Sequence, residues 1–255
     1  MTLLIRAEYL KLLRRKTYLL MVAILAALVG MTAFFLVVFP RIAPNMAEGL
    51  QPIPKPDAYI LGAQQVVGQT WFPLILAVMM LGSELASSFW ATTLTRESRR
   101  LRHVVARLTV LTSAAWAATL AAIAGFSVVV AFGAVGEGFP PGSQWLRILW
   151  GSLLVELAWV ALGLGLVGLL RAIGPAIGAA LALSFGESIL TIWKPYQNVS
   201  LSANSTALFG SINLGDIGSF VPTGNIPTGR AIMVVAVWTI AALLLCWWSL
   251  ARRDA

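Results

Sequence analysis

Residues 148–170 read ILWGSLLVELAWVALGLGLVGLL, an apolar run interrupted by one ionisable residue, Glu156. A bilayer core about 30 Å thick is crossed by roughly 20 helical residues, so this stretch has the length and composition of a membrane span. Lipid offers the backbone no hydrogen-bond partner, and a helix of this length satisfies its own peptide groups. Five further stretches read the same way: Thr17–Phe39, Val66–Leu85, Leu108–Val135, Ala172–Trp193 and Ala231–Leu250. The expected fold is an all-α integral membrane protein, with six transmembrane helices forming one membrane domain over residues 1–255. At 59% hydrophobic and 11% charged residues, no soluble domain fits beside them.

Lysine and arginine set the orientation. An even number of spans puts both termini on one side, with Arg6, Lys11, Arg14, Arg15, Lys16, Arg96, Arg99, Arg100, Arg102, Arg107, Arg171, Arg252 and Arg253. The other side holds Arg41, Lys55, Arg147, Lys194 and Arg230. That bias predicts cytoplasmic termini. The net charge of +8 is thus a record of topology and gives no argument for nucleic acid as a partner. The arginine-, alanine- and glycine-rich composition suggests a bacterial plasma membrane. Charges followed by an apolar run at the N-terminus are read as an uncleaved anchor, because the run is too long for a signal peptide and lacks a cleavage site. Asn198-Val-Ser200 and Asn204-Ser-Thr206 form outward-facing sequons that arise by chance in such a source.

Several chemistries are excluded. A phosphate-binding loop ends in Gly-Lys-Ser/Thr, and none of the four lysines follows a glycine. The one histidine, His103, lies in a loop among arginines, so no histidine can activate a nucleophile within the spans. Asp57, Asp216 and Asp254 all fall outside the spans, which rules out an intramembrane aspartyl dyad. No His/Cys cluster has metal-ligand spacing, and Cys246 has no partner for a disulfide. The run Gly163-Leu-Gly165-Leu-Val-Gly168 matches a dinucleotide fingerprint but lies inside a span, where small residues let helices approach closely. Gly174, Gly178, Ala182 and Gly186 recur every four residues and form one smooth face, either a subunit interface or packing within one protomer.

Three glutamates touch the membrane. A charge at the bilayer centre costs roughly 2.5–3.5 kcal/mol, so such residues face a partner or a wet cavity. Glu156, mid-span, is read either as shaping a cavity or as a structural acid bonded to a neighbouring helix. Glu187 lies nearer the outer face, two turns from Lys194, and its simplest reading is snorkelling to the interface. Glu84 ends the second span, within reach of the arginines beyond it, in a structural or coupling role. Gln64, Gln65 and Gln69 near the outer mouth are read either as substrate contacts or as ordinary interfacial glutamines; in a transporter, Thr32, Gln69 and Ser184 would be the polar points of a cavity lined by the first, second and fifth spans.

Residues 2–16 place Ile5, Tyr9, Leu12 and Leu13 on one helical face and Glu8, Lys11 and Arg15 on the other. This predicts a helix in the headgroup layer, its arginines meeting anionic membrane lipid. Pro52, Pro54 and Pro56 predict a stiff extended piece within the loop from Pro40 to Gln65. After the second span the chain runs Gly82-Ser-Glu84-Leu-Ala-Ser-Ser-Phe89-Trp90-Ala-Thr92-Thr-Leu94-Thr-Arg96-Glu-Ser98-Arg99-Arg100-Leu101. Phe89, Trp90 and Leu94 would be wasteful on a solvated loop. A short helix with an aromatic knob and a basic end suits insertion into a cleft of a cytoplasmic partner.

This stretch resembles the second-span exit of type-2 ABC exporter permeases, which carry a Glu, an aromatic-Gly-Thr, a leucine, a Ser-Arg and a downstream Lys. Glu84, Trp90-Ala91-Thr92, Leu94, Ser98-Arg99 and Arg107 occupy those places, with Ala91 for the glycine and Arg107 for the lysine. The ending Arg252-Arg253-Asp254 is similar too, as are the span count, the N-terminal helix and the long loop before the last span. The resemblance implies a transmembrane pathway formed with a second permease copy or a homologous permease. It also implies two separate ATPase subunits, which would carry ATP and Mg, so that this chain binds no cofactor and is not itself the enzyme. A cytoplasmic coupling helix would dock into each ATPase, with Phe89, Trp90, Thr92, Arg96, Arg99 and Arg100, behind Glu84, as its contacts. Short re-entrant helices from the 194–230 loop would cap the outer exit. The cargo class implied is amphipathic: a peptide antibiotic, a drug or a lipid-like molecule. The competing reading is a proton-coupled transporter or channel using Glu156 and Glu187; a sensor or immunity subunit of the same fold has no distinguishing sequence mark.

Overall fold

The computed structural model describes residues 2–43, 53–86, 100–209 and 226–251, and the described residues are helical with no strand. The chain opens with α1 (Thr2–Leu13) and turns into α2 (Lys16–Ala33), which continues through a π-helical turn at Phe34–Val38 into α3 (Phe39–Ile42). Then follow α4 (Lys55–Val67), α5 (Trp71–Ala86), α6 (Arg100–Gly133), α7 (Gly142–Leu170) and α8 (Ile173–Leu190). The short α9 (Lys194–Gln197) and α10 (Leu201–Ala207) precede the last long helix, α11 (Thr228–Ala251). Six helical stretches are long and apolar enough to cross a membrane: 16–42, 55–85, 102–133, 142–170, 173–190 and 228–249. The chain thus has the architecture of a multi-pass, all-α membrane protein, as the apolar runs predict.

The second span corrects the sequence reading. Helix begins at Lys55, with Pro54 as its N-cap and Pro56 in the first turn, where a proline's missing N–H costs nothing. Extended backbone is confined to the approach, where Pro54 bridges to Val135 and the Lys55 amide donates to the Val135 carbonyl at 3.1 Å. Ala58, Leu61, Gly62 and Val66 are buried at helical spacing, and that apolar stripe decides the conformation of 55–67. A break at Gly68–Thr70 separates α4 from α5.

The fourth span, α7, is the centre of the bundle, with Trp159 and its neighbours Ala158, Val160 and Ala161 fully buried. A side chain at Gly163 would sit 2.6 Å from the Leu74 carbonyl oxygen and 2.7 Å from Ala77 Cβ, so the glycine lets α5 touch the α7 backbone. Gly165 and Gly168 face Ala242 and Ser249 on α11 in the same way. The run that mimics a dinucleotide fingerprint is a packing surface on two sides. Between α7 and α8 the chain reverses at Arg171, which takes a left-handed conformation (φ 56°). By contrast α2, α8 and α11 leave much of their apolar surface outward, with Leu19, Phe185, Ile189 and Val237 all more than half exposed.

Candidate functional site

Polar side chains gather at the two ends of the bundle. At the end carrying α1, Glu8, Glu84, His103 and Arg107 are all at most 4% exposed. Glu8 and Lys11 come from α1, Glu84 from the last turn of α5, and Arg107 from the beginning of α6. Lys11 Nζ stands 3.0 Å from Glu8 Oε1 and 3.6 Å from Glu84 Oε1. Arg107 Nε stands 3.7 Å from Glu8 Oε2, and Arg107 Nη2 donates to Glu84 Oε2. Every adjacent pair is of opposite sign, so the four side chains close a ring of alternating charge. Removing a charge from water is costly, and close pairing offsets that cost. Around the ring, Arg15 donates to Ser83 Oγ at 2.6 Å, and Tyr9 OH is hydrogen-bonded to Ser113 Oγ.

This geometry confirms that Glu84 meets an arginine beyond it and corrects the reading of α1. Glu8 turns into the protein beside the fully buried Leu12, whereas Leu13, assigned to the apolar face, is 57% exposed. The helix has rotated so that its acid reaches Arg107, and Leu3, Leu10 and Leu13 form the outward apolar face. No local pattern could show this, because Arg107 lies beyond two spans in the sequence. Phe89, Trp90, Thr92, Arg96 and Arg99 lie outside the described residues; Arg100 opens α6.

At the opposite end the charges act on backbone. Glu187, 3% exposed, accepts from Tyr196 OH at 2.8 Å, Ser200 Oγ at 2.5 Å, the Ser202 amide at 3.1 Å and the Leu201 amide at 3.4 Å. Burial, then the hydrogen bond and charge of Glu187, push the Tyr196 phenol up to about 12, so it remains a donor at neutral pH. Ser200 caps α10 by accepting from the Ala203 amide at 3.2 Å. At the other end of α10, Arg147 Nε donates to the Leu208 carbonyl at 2.5 Å, and Arg147 Nη2 to the Ala207 carbonyl at 3.2 Å and Thr228 Oγ1 at 2.7 Å. Gln144 Nε2 adds a bond to the Phe209 carbonyl at 2.7 Å. The short helix thus lies with an acid at its N-terminus and a guanidinium at its C-terminus, the arrangement its dipole favours.

Glu187 therefore does not snorkel to the interface; it is buried and consumed by the helix it caps. Asn204, in the second sequon, lies in the same short helix. It is fully buried, and its Nδ2 donates to the Gln197 and Ser200 carbonyls at 3.1 and 2.7 Å. The capping role of Glu187 leaves one sequence trace, Ser200 immediately ahead of the heptapeptide Leu201–Ala207.

Between the ends, Glu156 Oε1 accepts from Thr119 Oγ1 at 2.5 Å, so the acid does bond a neighbouring helix. Its Oε2 is buried without a hydrogen-bond partner among the described residues. Trp116 Nε1 donates to Ser152 Oγ at 3.0 Å one turn away. The expected cavity points are tied down: Gln69 Oε1 accepts from Trp71 Nε1 at 2.8 Å, Thr32 bonds the Leu28 carbonyl, and Ser184 bonds Thr70 at 2.5 Å. Gly174, Gly178 and Ala182 are exposed and Gly186 partly so. A side chain at any of the three glycines would meet nothing within 4 Å among the described residues, so packing within the protomer does not account for that face. No group of three metal-binding side chains occurs among the described residues.

Comparison with protein-family models and with curated proteins yields no match.

Proposed function

We propose that this chain is the permease subunit of an ATP-driven exporter in a bacterial plasma membrane, with the α1 end cytoplasmic. It would move an amphipathic compound along a pathway built with a second permease and driven by two separate ATPase subunits. The observation that carries the reading is the buried Glu84–Arg107 pair. It ties together the helix ends on either side of residues 87–99, where the sequence resembles the coupling segment of type-2 permeases. A segment that receives force from a partner needs such an anchored base. The short helices α9 and α10, held by Glu187 and Arg147 ahead of the last span, support reading this end as a cap over the outer exit. The small-residue face of α8, unpartnered among the described residues, suits the second permease.

Affinity purification of the tagged chain from its native membrane tests this. A stoichiometric ATP-binding subunit, lost when Trp90 and Arg99 become alanine, supports the reading; a single chain without ATPase activity sinks it. One observation favours proton-coupled transport instead: the Oε2 of Glu156, buried between α6 and α7 and unpartnered among the described residues. Under that reading Glu156→Gln abolishes pH-driven flux, whereas under the exporter reading it leaves ATP-driven flux intact.

A further inference from the structure

The charge ring does more than pair Glu84 with Arg107. Those two residues alone would hold the ends of α5 and α6 together. The ring adds a third body, α1, through Glu8 and Lys11, each of which touches a different member of the pair. Two further hydrogen bonds follow the same division: Tyr9 on α1 bonds Ser113 on α6, and Arg15, at the turn between α1 and α2, bonds Ser83 on α5. The N-terminal helix is therefore fixed to both helix ends independently. Withdrawing α1 from Arg107 would leave Glu8, 3% exposed, without its second cation in a site nearly closed to water. Sliding α5 against α6 would set Lys11 and Arg107 competing for the same carboxylates. A closed alternating ring resists both motions, because no member can leave without bringing like charges together.

We propose that Glu8 is a positioning residue: by closing the ring it makes α1 and the ends of α5 and α6 move as one body. This rests on the reading of residues 87–99 as the segment that meets the ATPase. On that reading, the N-terminal helix belongs to the lever that carries ATPase motion into the bundle and is more than a lipid anchor.

The test uses the full-length chain with Cys246→Ser, spin-labelled through Leu10→Cys on α1 and Val105→Cys on α6, both outward-facing. The distance between the labels reports docking of α1, and ATP turnover by the purified complex reports coupling. With Glu8→Gln the distance distribution is expected to broaden and transport-coupled turnover to fall about tenfold, with the ATPase subunit still co-purifying. If Glu8→Gln does not fold, Glu8→Asp, which keeps the charge but shortens its reach, is read by the same criteria. The ring also has a signature that separate pairs lack. Exchanging only Glu84→Arg with Arg107→Glu restores that pair yet sets like charges against Lys11 and Glu8, so the distribution stays broad. Adding Glu8→Lys and Lys11→Glu restores alternation and narrows it.

A narrow distribution and turnover within about twofold of normal for Glu8→Gln would overturn the proposal. So would normal behaviour of the Glu84/Arg107 exchange by itself, since α1 would then be a passenger. Broad distances with undiminished turnover would also overturn it, by separating docking from coupling. If the unaltered chain brings down no ATPase, the exporter reading fails first, and the distance measurements still decide whether the ring locks α1.

Discussion

The two ends of the bundle solve the same problem, charge at the edge of an apolar structure, by opposite means. At the α1 end four side chains neutralise one another across three helices, each of them at least 12 residues long. At the far end Glu187 and Arg147 spend their hydrogen bonds largely on backbone groups at the tips of α10. The first arrangement fixes how long helices sit relative to one another. The second creates the element itself, because a helix of 7 residues is too short to persist alone. Damage should therefore look different: loss of helix arrangement at one end, loss of a helix at the other.

The largest expected effect breaks the first arrangement. Arg107→Ala leaves Glu8 and Glu84 buried side by side and should cost about 3–5 kcal/mol, read as a fall in thermal midpoint of the purified protein. A change below about 1 kcal/mol would mean the ring is not the brace described here. Glu187→Ala comes next, at about 2–3 kcal/mol, but should act locally. Hydrogen exchange should rise across 200–209 while α7 stays protected, and Glu187→Gln, which keeps an acceptor, should do less. Protection of 200–209 unchanged in Glu187→Ala would erase the contrast between the two ends.

Two glycine substitutions extend the contrast to the middle of the membrane. Gly163→Ala drives a methyl into the Leu74 carbonyl and Ala77 and should destabilise by about 1–3 kcal/mol. Gly178→Ala meets nothing within 4 Å among the described residues and should lie within about 0.5 kcal/mol of neutral in the isolated chain. The smallest effect is a gain: Arg171→Gly relieves a left-handed backbone and should stabilise by up to about 1 kcal/mol, measured by the same melt.

Much of this was legible without coordinates. The six apolar runs predict the spans because a helix that crosses lipid must be apolar along its whole length, a local property. The embedded Gly163, Gly165 and Gly168 read as packing residues for the same reason, and Glu84 at a span end among arginines reads as paired. The sequence misplaced α1 because amphipathic spacing ranks residues by polarity; Glu8 is polar yet inward. It left 55–65 in a loop with an extended piece at Pro52–Pro56, because proline density outweighed an apolar stripe that matters only against neighbouring helices. It sent Glu187 to the membrane interface because the amides and hydroxyls that take up its carboxylate lie beyond the span, in 196–202.

Sequence alone determined how many times the chain can cross a membrane, since that depends on composition over roughly 20 residues. Tertiary structure decided which polar groups meet. Glu8 finds Arg107, Glu187 finds the first amides of α10, and the glycine face of α8 is left without a neighbour among the described residues. Each outcome depends on the angle and register at which helices pack, which no window along the chain contains.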